Sequence, residues 1–178
     1  MSTRHSSESP LRRRSIRLRG YDYRTPGAYF VTICSHSRAP LFGEIANGVV
    51  NLSPLGEIVD SAWTDLPCRF PQCETDAFVI MPNHVHGILV LVAADPVEGA
   101  DEEAAARFGG PTALLSTVVG ALKSGATRRI NEMRCVEGAD VWQRGFFERI
   151  IRSERMLNAL REYIERNPAN WDRDSENV

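Results

Sequence analysis

The sequence has little cysteine and no long hydrophobic run. No apolar segment approaches the roughly 20 residues that a membrane-spanning helix needs. No apolar segment follows the basic N-terminus, as one would in a signal peptide. We therefore expect a cytoplasmic protein with no membrane partner. The four cysteines form no Cys-x-x-Cys pair, which favours reduced thiols over a disulfide framework or a zinc cage.

Lysine is almost absent among the basic residues. Of 21 lysines and arginines, 20 are arginine and only Lys123 is lysine. Residues 4–24 hold seven of these arginines against two acidic residues. We predict a flexible basic arm over residues 1–20. Because arginine suits bidentate phosphate contacts, the arm is either a nucleic-acid contact or a solvated tail, and its composition alone leaves both open.

The first half of the remaining chain carries strand, hairpin and helix signals. Residues 28–35 are β-branched and aromatic, which is typical of a strand. The Asn47-Gly48 pair within residues 41–52 predicts a tight hairpin. Ser53 and Pro54 then supply a helix cap and a first-turn proline. Apolar residues at helical spacing extend this predicted helix to Leu66.

The second half repeats the pattern with longer elements. Two strands, 76–81 and 84–92, are joined through a Pro82-Asn83 turn. An amphipathic helix is predicted over 112–133, a short strand over 146–151, and a last helix from Ser153 to about Asn167.

This order of elements predicts the fold class. Strands paired by hairpins and interrupted by two long helices favour an α+β fold, with a ferredoxin-like antiparallel sheet and helices packed on it. We expect one domain over residues 21–173, followed by a tail of residues 174–178.

Two of the four histidines stand one residue apart in the segment MPNHVHGILV. In a strand, residues i and i+2 share a face, so His84 and His86 project side by side. Two imidazoles so placed can converge on a divalent metal. The alternative is a pair of polar residues on a solvent-facing strand. Gly87 is expected to leave clearance for a helix or a DNA strand that approaches this face.

The last predicted helix offers partners for these histidines. Tyr163 and Asn167 are one turn apart on one helical face. If that face covers the histidines, Asn167 supplies an oxygen ligand and Tyr163 a phenol. The alternative is a core tyrosine and a helix-terminal asparagine before Pro168.

A histidine-hydrophobe-histidine strand followed by Tyr-x-x-x-Asn resembles the HUH single-tyrosine transposases. Within them, the chain resembles the REP-associated tyrosine transposases, an IS200-like group, over about residues 16–173. The segments that carry this resemblance are GYDYRTPGAYFVTIC, LFGEI, FVIMPNHVHGILV and VWQRGFFERIIRSERMLNALREYIERNP.

The resemblance implies metal-dependent cleavage and joining of single-stranded or hairpin DNA from palindromic repeats. Tyr163 would be the nucleophile that forms a 5′-phosphotyrosine, and His84, His86 and Asn167 would hold Mg²⁺ or Mn²⁺. No small-molecule cofactor is implied, and the protein would be a monomer or a homodimer. Candidate DNA contacts are Arg17, Arg19, Tyr21, Tyr23, Arg24, Lys123, Arg128 and Arg129.

The chain departs from the group at one point. Such proteins often carry Tyr-Tyr-Glu-His where this sequence has Phe-Phe-Glu-Arg at residues 146–149, which puts any auxiliary role of that strand in doubt. Three other functions are alternatives: a hairpin-binding protein that does not cut, an RNA-binding module, and a zinc hydrolase. The RNA-binding module leaves the paired histidines unexplained, and the hydrolase lacks a His-Glu-x-x-His motif.

Overall fold

A computed structural model of the chain describes residues 26–92, 114–174 and 176–177. The predicted basic arm lies outside these described residues, as do the five candidate DNA contacts in and just after it, Arg17, Arg19, Tyr21, Tyr23 and Arg24.

A four-stranded antiparallel sheet forms the centre of the fold. Its strands are β1 (Gly27–Cys34), β4 (Cys73–Met81), β5 (His84–Leu91) and β6 (Phe147–Ile151), in the order β4-β5-β1-β6. This is the strand order of a ferredoxin-like fold, so the predicted fold class is confirmed.

A separate hairpin follows β1. It consists of β2 (Gly43–Ala46) and β3 (Val49–Leu52), with Asn47 and Gly48 both at positive φ in the turn. Two central residues at positive φ define the turn type that asparagine-glycine pairs favour. The predicted hairpin is therefore confirmed, with its turn at the predicted residues.

One face of the sheet carries α1 (Pro54–Thr64) and α3 (Leu114–Met133). Ser53 caps α1, because its hydroxyl accepts a hydrogen bond from the Gly56 amide. The helix ends two residues earlier than predicted, and a short α2 (Leu66–Arg69) begins there with Pro67 in its first turn. The larger core cluster lies between these helices and the odd-numbered residues of β1 and β5, such as Val31 and Val85.

The opposite face carries only α4 (Glu154–Arg166) among the described helices of α type. Ser153 caps it through a hydrogen bond from the Met156 amide. A smaller cluster of Phe30, Ile88 and Ile164 holds α4 against the sheet. Arg161 also makes a two-point ion pair with Asp76 of β4, with Nε 2.9 Å from Oδ1. A 3-10 helix, Pro168–Arg173, continues from α4 along this face.

Gly87 does not have the role that the sequence suggested. As an odd-numbered residue of β5, it faces away from the two histidines. A Cβ at this position would meet the Trp63 ring of α1 at 2.3 Å. The glycine therefore gives clearance to a buried indole on the core side, and the expected clearance for DNA or the last helix was wrong.

Candidate metal and tyrosine site

His84 and His86 lie on the α4 face of β5, and Val85 between them points into the larger core. The tight turn at Pro82-Asn83 starts β5 at His84, opposite Met81 of β4. Both imidazoles are buried, and their ring centroids are 4.3 Å apart. The predicted pairing of the two side chains on one face is therefore present, and the face is covered rather than open to solvent.

A neighbouring side chain holds each imidazole through its Nδ1 atom. Asn83 Oδ1 lies 2.8 Å from Nδ1 of His84 and is an acceptor, so this nitrogen carries the proton. Thr32 Oγ1, on the adjacent strand β1, lies 2.9 Å from Nδ1 of His86. Such oxygen partners fix the ring orientation and the tautomer of metal-binding histidines. In this arrangement both Nε2 atoms are left to face the space under α4.

The Nε2 atom of His84 is buried and has no hydrogen-bond partner among the described residues. Asp174 Oδ2 lies 3.9 Å away, which is too long for a hydrogen bond. Burial lowers the pKa of His84 to about 4, against the opposing effect of the Asp174 carboxylate. The imidazole is therefore neutral near pH 7 and presents a free lone pair.

Asn167 closes the site from the end of α4, of which it is the C-terminal cap. Its amide nitrogen donates a 2.7 Å hydrogen bond to Asp174 Oδ2. The Asn167 amide oxygen, Oδ1, therefore points away from Asp174 Oδ2. It is buried and has no hydrogen-bond partner among the described residues. Leaving two buried acceptors unpaired costs free energy, so the site has the character of a preformed cation-binding position.

Asp174 is the residue that the sequence analysis missed. Its side chain is 1% exposed. Ligand atoms of His84, His86 and Asp174 all lie within 4.8 Å of one another. Oδ1 of Asp174 accepts a 2.7 Å hydrogen bond from the Glu176 backbone amide. This donor set of imidazoles and a carboxylate, with the Asn167 oxygen beside it, fits a divalent metal.

One sequence signal could have found Asp174. Trp171 is an apolar residue in an otherwise polar segment, and its ring lies 6.0 Å from the His84 ring. Asp174 directly follows the 3-10 helix, and its backbone amide donates a 3.0 Å hydrogen bond to the Trp171 carbonyl. A docked Trp171 therefore carries Asp174 toward the histidines.

Tyr163 lies one turn before Asn167, and its hydroxyl is 3.2 Å from Nε2 of His86. Its side chain is 43% exposed, so the phenol has both a buried contact and access to solvent. Burial raises the pKa of Tyr163, and the carboxylates of Asp174 and Glu176 raise it further. The same burial lowers the pKa of His86 to about 3, with His84 as a second cause. Near pH 7 the pair is a neutral phenol beside a neutral imidazole.

Glu176 ties the C-terminal segment to the sheet. Its carboxylate pairs with Arg38 and accepts from the Cys34 thiol, and its backbone carbonyl accepts from the Asn83 amide at 2.8 Å. Burial raises the pKa of the Cys34 thiol to about 12, and the hydrogen bond to Glu176 is the second cause of this rise. The thiol is therefore a poor nucleophile. Asn83 therefore connects the C-terminal segment to His84.

Three of the predicted DNA contacts, Lys123, Arg128 and Arg129, lie in α3, on the side of the sheet away from α4. Lys123 donates to the carbonyls of Gln143 and Gly145 at 2.7 and 2.8 Å, and thereby holds the loop before β6. Arg129 makes a 3.4 Å contact with the Ser61 hydroxyl, and Arg128 borders a groove beside Cys135. Their helix packs on the sheet face opposite the histidines, so the structure does not bring these cations to the site.

The fold and the site together define an α+β protein with a histidine, asparagine and tyrosine cluster under its last helix. An uncharacterized protein from Haemophilus influenzae is 38% identical over 171 residues, which cover 91% of each chain. The chain belongs to the same family as that protein. No family model matches the sequence.

One solved structure shares this fold. A REP-associated tyrosine transposase bound to a REP hairpin matches 87% of this chain and 73% of its own, with 20% identity and a TM-score of 0.57. At that identity the match shows a shared fold. A transposase candidate from Deinococcus radiodurans gives a TM-score of 0.46 at 19% identity, over 84% of this chain and 95% of its own, which is too low to support an argument.

No helix among the described residues is both long and apolar enough to cross a membrane.

Proposed function

We propose that the protein cleaves and rejoins single-stranded DNA next to a hairpin, with Tyr163 as the nucleophile and a divalent metal at the two histidines. The observation that carries this proposal is a pair of buried acceptors beside the half-exposed Tyr163. These acceptors, His84 Nε2 and Asn167 Oδ1, have no hydrogen-bond partner among the described residues. The shared fold with a hairpin-bound tyrosine transposase supports the choice of substrate.

His84, His86 and Asn167 would hold the metal, with the Asp174 carboxylate within reach as a fourth donor. Mixed nitrogen and oxygen donors fit Mn²⁺ better than Mg²⁺, which prefers oxygen alone. The chemistry supplied by a bound ion is polarisation of a phosphoryl oxygen and alignment of the attack.

The protein's own residues carry the rest of the reaction. The Tyr163 oxygen attacks a phosphodiester, a bond to phosphorus forms, and the bond to the 3′-oxygen breaks. The phenol loses its proton as it attacks, and the leaving 3′-oxygen gains one, so that a 3′-hydroxyl is released and the DNA 5′-phosphate stays on the tyrosine. Because the energy of the broken bond is retained in the phosphotyrosine, a later 3′-hydroxyl attacks it and rejoins a strand.

Asp174 would act on this reaction through Asn167. Its carboxylate accepts a hydrogen bond from the amide nitrogen, which fixes the orientation of the Asn167 amide. It also places a buried negative charge beside a site that would bind a cation.

The test is adduct formation between the full-length protein and a labelled hairpin with single-stranded arms, taken from palindromic repeats near the gene. A denaturing gel should show a protein–DNA species that needs Mn²⁺ and disappears with EDTA. Tyr163→Phe should remove it, and Tyr29→Phe, a change in the core on the other face of the sheet, should not. Hairpin binding without an adduct under any metal condition would contradict the proposal and leave a DNA-binding protein that does not cut.

A further inference from the structure

Two aromatic side chains are exposed among the large hydrophobic residues of the described chain. They are Tyr163, at 43% exposure, and Phe147 of β6, at 39%. Single exposed apolar residues are ordinary on protein surfaces, so exposure alone does not indicate a function for Phe147. Its position relative to the tyrosine site does indicate one.

The sheet register places Phe147 in line with the histidines. Phe147 pairs with Thr32 of β1, and Thr32 pairs in turn with His86 of β5. Directly opposed residues of antiparallel strands share a face, so all three side chains lie on the α4 side. Two strand spacings put Phe147 about 10 Å from His86. Thr32, between them, is itself bonded to His86.

Arg149 occupies the next position on the same face. It pairs with Phe30, whose ring stacks on the His86 ring at a centroid distance of 5.3 Å. Arg149 is exposed. It makes no ion pair or hydrogen bond within the part of the chain that the structure describes, so its guanidinium is available to a ligand.

We infer that Phe147 and Arg149 form a docking strip for the single-stranded DNA that enters the tyrosine site. A base stacks on the exposed Phe147 ring, and a neighbouring phosphate pairs with Arg149. This inference rests on the proposed function and extends it to the substrate path along β6. An aromatic platform beside a cation is the combination by which proteins hold single strands without reading their sequence. The strip is continuous with the site through Thr32 and Phe30.

Binding is measured by fluorescence anisotropy with end-labelled oligo-dT of about 20 nucleotides, which is longer than a typical binding groove. EDTA is present throughout so that no covalent step occurs. The variants are Phe147→Leu, Phe147→Trp and Arg149→Gln in the full-length protein. Met133→Ala and Arg134→Gln are the matched controls, since both residues are exposed and lie at the far end of α3 and just beyond it.

Phe147→Leu should weaken binding about fivefold or more, the loss expected when one stacked base is released. The salt dependence should stay the same in this variant. Phe147→Trp should bind at least as tightly as the wild type, which separates loss of stacking from loss of folding. Arg149→Gln should reduce the slope of log affinity against log salt by about 0.7, the value for one phosphate contact to a single strand.

If Phe147→Leu and Arg149→Gln bind the oligonucleotide as tightly as the controls do, Phe147 and Arg149 do not form a docking strip. If the wild type then still forms the covalent adduct, only this inference fails and the proposed function stands. If Phe147→Leu weakens binding while the wild type never forms an adduct, the strip stands as a DNA contact and the proposed nuclease activity fails.

Discussion

The Tyr163 hydroxyl lies 3.2 Å from Nε2 of His86, the ring nitrogen that Thr32 leaves free. The same nitrogen is the one with which His86 would bind a metal. The hydrogen bond and the metal bond therefore exclude each other, and metal binding must release the phenol from the imidazole.

Tyr163→Phe should consequently bind Mn²⁺ more tightly than the wild type. The variant has no hydrogen bond to break, and a net hydrogen-bond contribution of about 0.5–1.5 kcal/mol corresponds to a gain of about two- to tenfold. Titration calorimetry of the DNA-free protein measures this directly. A weaker affinity in the variant would mean that the phenol itself ligates the metal.

Asp174→Asn should lower Mn²⁺ affinity by about tenfold or more, the usual effect of losing a group that supports metal ligands. The substitution keeps the size of the side chain and removes the buried charge beside His84 and Asn167. Asp172→Asn is the matched control, because Asp172 is exposed in the 3-10 helix that ends just before Asp174. Equal affinities for the two variants would show that Asp174 is not part of the metal centre.

Thr32→Val should also weaken Mn²⁺ binding by about tenfold or more, because His86 loses the oxygen that holds its Nδ1 atom. Valine has nearly the shape of threonine, so the fold should be preserved. Thr32→Ser keeps the hydroxyl and should restore most of the affinity. If serine and valine behave alike in calorimetry, the hydroxyl does not orient the imidazole.

Gly87→Ala should destabilise the protein by about 1–3 kcal/mol, the usual cost of overpacking a core. The added Cβ would lie 2.3 Å from the Trp63 ring. Gly120→Ala is the matched control, since its Cβ would meet no atom within 4 Å in the interior of α3. It should instead raise stability by up to about 1 kcal/mol. Denaturant unfolding of both variants gives the comparison, and an unchanged midpoint for Gly87→Ala would contradict the packing described.

Local patterns predicted much of this structure. Alternation along β5 put His84 and His86 on one face, the Asn47-Gly48 pair predicted its turn, and helical spacing put Tyr163 and Asn167 together. These features depend on residues within a few positions of one another, where backbone periodicity decides the outcome.

Contacts between residues far apart in the chain could not be predicted from local sequence patterns. The approach of Thr32 to His86 follows from the order of strands in the sheet, which no local pattern encodes. Asp174 lies in a short polar segment without periodicity, where the nearby Trp171 was the one sign that the segment docks against the sheet. Strand alternation alone places Gly87 on the face opposite the histidines, and only its contact with the Trp63 ring depends on distant packing.

The covalent intermediate is the most direct test of the central claim. An adduct formed with Mn²⁺ is digested with nuclease and then with trypsin, and the modified peptide is located by mass spectrometry. The account predicts nucleotides linked through a 5′-phosphate to Tyr163 in the peptide of residues 162–166, which lies between Arg161 and Arg166. Nucleotides on another peptide, or DNA cleaved with no nucleotide left on the protein, would contradict it.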